Sequence, residues 1–213
     1  MWRALNDFRR GVDRLSEGLG WLAKWLVPVC VMVAFINVVL RYVGRFQGRA
    51  LTSNGIVELQ WMIFGAIFLM VLPYILKHNI NVRVDVFSQH FSKKRQALVD
   101  FAGHLLALVP FCLFAMWVNW DFVLRSLFQK GERWSTWRVW QIWEQSPDAQ
   151  GLPRGPIKTM ILLGFAFLFL QTLAELIRLG SVLAGKVEAE SIEAPSGLIE
   201  LLAEQTDVDL GRK

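Results

Sequence analysis

Four stretches of this chain, 21–40, 56–76, 98–120 and 157–177, are each predominantly apolar for about 20 residues, the length a helix needs to cross ~30 Å of hydrocarbon. A soluble domain carries more charge and fewer such runs. Here 54% of residues are hydrophobic and 19% charged, and ten are tryptophan. The expected fold is an all-α integral membrane protein with four transmembrane helices spanning 21–180.

The first apolar run follows Arg3, Arg9, Arg10 and Arg14, as a secretory signal would, but it exceeds a signal core and ends at bulky Asn37, Leu40 and Arg41. It is read as a retained helix. Four spans place both termini on one side. Lys and Arg number four in the N-terminal arm, five in the second loop and four in the tail, against three in the first loop and five in the third, with Lys24 and Lys158 set aside at span edges. The positive-inside rule therefore makes both termini cytoplasmic. Because the basic residues flank apolar spans rather than forming one stripe, a net charge of +5 is not read as a nucleic-acid surface. Cys30 and Cys112 both fall inside spans, build no disulfide or CxxC framework, and are read as small apolar residues.

Outside the spans three segments stand out. In the arm, 1–20, Trp2, Leu5, Phe8, Val12, Leu15 and Leu19 recur at helical spacing with arginines opposite them. Two readings stand: an amphipathic helix on an anionic lipid surface, or an extension of the first span, with Gly18 and Gly20 marking a weak break. The long third loop, 121–156, holds Trp134, Trp137, Trp140 and Trp143 at every third residue, expected to form an interfacial helical insertion. Indole rings suit the membrane interface, and they also suit a docking surface. The loop then breaks at SPDAQGLPRGP. The tail, 181–213, is acidic and is expected to be a cytoplasmic extension.

Polar groups within spans are the first place to seek function. Asn37 and Arg41 share a face of the first helix, and Arg41 and Tyr42 reach the outer interface. Glu58 and Trp61 open the second helix. Two readings stand for the charged pair: Arg41 meets Glu58 across antiparallel helices, or Arg41 reaches lipid phosphates while Glu58 faces water. In the third span Gly103 and Ala107 form a small-residue pair suited to close helix approach, and Pro110 is placed to kink the helix. In the fourth, Gln171 and Glu175 share a face, with interhelix hydrogen bonding expected of Gln171. One histidine within a span cannot supply bis-histidine haem ligation. No Gly-rich phosphate loop, HExxH zinc motif or GxSxG nucleophile motif occurs. Neither cofactor, resident metal nor enzymatic chemistry is expected.

NVVLRYVGR closing the first span, VELQWMIFGAIFLM opening the second, NINVRVDVF after it, and the later GER, LP-x-x-P-IK and FLFLQTLAELI segments together resemble the small membrane subunit of the TRAP (tripartite ATP-independent periplasmic) transporters. That resemblance covers about Trp21 to Arg178 and implies a bacterial inner-membrane scaffold subunit. Its implied partners are a large elevator-type membrane subunit and a periplasmic substrate-binding protein, working in sodium-driven import of organic acids or related small anions. Asn37, Arg41, Tyr42, Glu58, Trp61 and Gln171 are then candidates for subunit assembly. The four loop tryptophans become candidates for docking the binding protein or anchoring in lipid. The competing expectation is an anchor or assembly subunit of another inner-membrane complex, such as an oxidoreductase.

Overall fold

The computed structural model describes residues 2–80, 93–128 and 143–185. Among these it is entirely helical, and four helical stretches are long and apolar enough to span a membrane. Helix α1 runs Trp2–Gln47, α2 Asn54–Lys77, α3 Lys93–Gly103, α4 Val109–Leu127 and α5 Gly155–Leu183. A π turn, His104–Leu108, joins α3 to α4, so the third crossing is one helical rod. The expected spans all lie inside these helices, which extend beyond them.

The extension is greatest in α1. Its 46 residues make a helix of roughly 69 Å at 1.5 Å per residue, about twice what hydrocarbon alone requires. It does not break at Gly18 or Gly20, so the arm and the first span are one element. Leu5 is half-buried and Val12 and Leu19 are buried within the bundle, whereas Phe8 and Leu15 point outward. The side of the arm facing inward is therefore the one through Val12, Ser16, Leu19 and Ala23. Helix ends carry recognisable stops. Gly48, at φ 63°, follows α1. After α2, Asn79 at φ 50° donates its N–H to the Leu76 carbonyl while Ile80 donates to Ile75, the bonding of a Schellman cap.

Helix α5 is the hub, touching each of the other helices, and it holds the largest share of buried residues. Leu76, Cys112 and Leu168 form a core from three different helices, with Leu72, Leu108, Phe165 and Phe169 around them. Cys112 is thus a small apolar filler, while the Cys30 thiol donates to the Gln60 carbonyl at 3.6 Å. Close helix approach occurs at Gly20, where a Cβ would stand 2.4 Å from the Tyr74 ring, and at Gly164, where it would stand 2.9 Å from Leu69. Gly103, expected to serve that purpose, has nothing within 4 Å of a Cβ and packs no helix closely. Between the two ends of the bundle the outer surface is apolar, with Phe35, Ile36, Phe64, Phe68, Phe114 and Trp117 all exposed.

Candidate functional site

Polar side chains concentrate at the two ends of the bundle. The loop end is where α1 and α4 finish and α2 and α5 begin. There Glu58, one turn into α2, is only 3% exposed. Its carboxylate accepts hydrogen bonds from the Ser146 hydroxyl and the Leu152 N–H, and the Arg154 guanidinium lies 3.6 Å away. The loop comes this close because two residues lack side chains. A Cβ on Gly55 would stand 2.8 Å from the Gln150 carbonyl oxygen. On Gly151 it would stand 2.4 Å from Ser146 Cβ and 2.8 Å from Glu58 Oε2. The Asn54 side-chain amide also donates to the Ala149 carbonyl, at 3.2 Å.

Glu144 ties the same loop to α4 and α5. Its N–H donates to the Ser126 carbonyl at 2.8 Å, and its own carbonyl accepts the Arg154 N–H at 2.8 Å. Its carboxylate pairs with Lys158, whose ammonium stands 4.1 Å from the centre of the Phe122 ring. The hydrogen bond from Lys158 holds the Glu144 carboxyl below the ordinary glutamate range. Two linked carboxylates thus clasp the loop across α2, α4 and α5.

The opposite, terminal end unites the start of α1 with the C-terminal ends of α2 and α5. The Ser16 hydroxyl donates to Gln171 Oε1 at 2.7 Å, and Gln171 Nε2 donates to Asp13 Oδ1 at 3.2 Å. Lys77 Nζ donates to Glu17 Oε1 at 2.6 Å and to the Asp13 carbonyl at 3.2 Å. His78 Nε2 lies 2.7 Å from Glu17 Oε1. Glu175, buried on α5, pairs with Arg178 at 2.7 Å. In a medium with no water to take over their hydrogen bonds, such groups are held only where partners are in place.

The residues singled out from sequence fall into distinct places. Glu58 is paired, but with Arg154 and the loop, not with Arg41; nor does it face water. The Arg154 guanidinium and two further donors occupy the carboxylate from the far side of the sequence, while Arg41 lies exposed on α1. Tyr42 and Trp61 are exposed too. Asn37 is 5% exposed, and its Oδ1 has no hydrogen-bond partner among the described residues. Gln171 is fully buried and its amide is used within the chain. Trp143 is half-buried, its ring 3.0 Å from where a Gly155 Cβ would stand. Trp134, Trp137 and Trp140, the helical insertion, the GER segment, most of NINVRVDVF and the acidic tail beyond Gly185 lie outside the described residues.

Sequence reasoning missed Ser146, Gly151, Arg154 and the Glu144–Lys158 pair, all within or beside a segment read only as a helix breaker. It also missed Asp13 and Ser16, although Ser16 sits in the middle of the arm's buried stripe, where a polar residue signals a partner. Among the described residues no cluster of three or more His, Cys, Asp or Glu is placed to hold a metal ion.

The geometry is that of a locked membrane bundle whose buried charges are matched internally, with two quoted segments, VELQW and LPRGPIK, meeting at Glu58. Residues 30–180 match the family model described as Tripartite ATP-independent periplasmic transporters, DctQ component. No curated protein and no solved structure matches the chain. The match runs from the middle of α1 almost to the end of α5 and covers well over half of the 213 residues. The chain therefore belongs to the DctQ component family of the tripartite ATP-independent periplasmic transporters, as a multi-pass inner-membrane protein and small permease component.

Proposed function

We propose that this chain is the static brace of a sodium-driven, binding-protein-dependent importer of organic acids or related small anions. It supports a large elevator-type subunit in the membrane and helps the periplasmic binding protein dock at the loop end. What carries the reading is the division of labour on the chain's own surface. Buried Glu58 is consumed by bonds that hold the loop to α2, Gln171 and Lys77 tie α5 and α2 to α1 at the other end, and the face between them is apolar. A brace needs rigidity and a packing face, and this chain has both. The positive-inside count supports a periplasmic loop end and cytoplasmic termini. Sodium coupling and the anionic substrate class rest on the family resemblance.

The test is reconstitution in proteoliposomes with an imposed sodium gradient. Uptake of labelled carboxylates is expected only when this chain, the large subunit and the binding protein are all present. Sodium-independent flux, or flux from this chain alone, would overturn the proposal.

A further inference from the structure

Toward the terminal end, α1 and α2 together line a groove of about 420 Å³, within the ~300–1,000 Å³ range of ligand clefts. Its lining is graded. Glu17, Trp21 and Tyr74 line its outer part, Lys24 follows about 10 Å of helix beyond Glu17, and Val27, Ile67 and Val71 line the part next to it. Tyr74 packed on Gly20 and the small side chain of Ala23 form part of its wall.

Three features define what fits. First, charge: Glu17 is neutralised by Lys77 and His78, whereas Lys24, exposed and without an ion pair among the described residues, keeps an ammonium facing the groove. Second, depth: below the level of Lys24 the lining continues to Val27 on α1 and from Val71 to Ile67 on α2, about 5 Å of helix, enough to seat the uppermost methylenes of an acyl chain. Third, level: Trp21 and Trp25, in edge contact at 6.4 Å, together with Tyr74 mark this height as a membrane interface. A cation at the interface above a short apolar channel complements the anionic head and upper acyl chain of an amphiphile.

We infer that the α1–α2 groove binds one glycerophospholipid of the adjacent leaflet, its phosphate on Lys24 and one acyl chain along Val27, Ile67 and Val71. The lipid fills the groove on the face of the α1–α2 pair and so extends their packing. The inference depends on the chain being membrane-embedded, not on its transport role.

The full-length chain, taken from nanodiscs of phosphatidylethanolamine with a minority of phosphatidylglycerol into mild detergent, is weighed by native mass spectrometry. The wild type is expected to retain one phospholipid per chain. Lys24→Gln and Val71→Trp should each lower the retained fraction at least fivefold, the first by removing the charge and the second by filling the channel. Arg10→Gln, an exposed cation away from the groove, should leave it unchanged. Circular dichroism and gel filtration check that each variant is folded. A wild type that carries no lipid, retention unchanged in either groove variant, or a photo-cross-linker at position 71 that captures only protein would overturn the inference.

Discussion

A carboxylate at position 58 is tolerable at the end of a span because a serine hydroxyl, a backbone N–H and a guanidinium close over it, and a glycine makes room for them. At Gly151 any side chain meets both Ser146 and the carboxylate. Gly151→Ala is therefore expected to destabilise by about 1–3 kcal/mol, the usual cost of overpacking, measured by reversible unfolding in micelles. Gly18→Ala, on a helix with nothing within 4 Å, should instead stabilise by up to about 1 kcal/mol. Equal effects at the two positions would show that the clasp does not hold the loop. Glu58, Asn37 and Gln171 were legible in the sequence, because a polar residue stands out in an apolar run. Their partners were not. The N–H of Leu152 carries no side-chain signature, and Ser146 lies in a proline- and glycine-rich stretch where serine is ordinary.

The helices themselves were largely legible, since hydropathy over twenty residues reports directly on the transfer free energy that places them in lipid. Their ends and joints were less so. Gly20 reads as a possible break, yet its absent side chain serves a close approach by Tyr74. Pro110 reads as a kink, and the helix meets it with a π turn in which the Val109 N–H reaches back to the His104 carbonyl. Proline offers no N–H to the Leu106 carbonyl, and its ring crowds that group; the wider turn relieves the crowding. Pro110→Ala should restore an α-helical 106–110 bond. Amide exchange and carbonyl chemical shifts across 104–110 would register this, whereas an unchanged pattern would assign the π turn to helix packing.

At the scale of the molecule, two polar ends bracket an apolar middle, and the loop-end clasp responds to pH. The Glu144 carboxyl titrates below its unfolded value because Lys158 bonds its charged form. Its contribution is thus fully present above about pH 4.3, the ordinary glutamate value, and is lost as the pH falls through the lower folded value. An acid titration of thermal stability should fall more steeply for the wild type than for Glu144→Gln. Parallel curves would remove Glu144 from the account. The joint made at Glu144 has another consequence. Its N–H meets the Ser126 carbonyl, so the chain leaves α4 and returns to α5 at nearly one point. The ends of the tryptophan-bearing segment are already brought together by bonds outside it, and the entropy of closing that loop grows only slowly with its length. The bundle is therefore indifferent to how many residues lie between, and this stretch is free to lengthen, shorten or change its chemistry while the membrane helices below it keep their register.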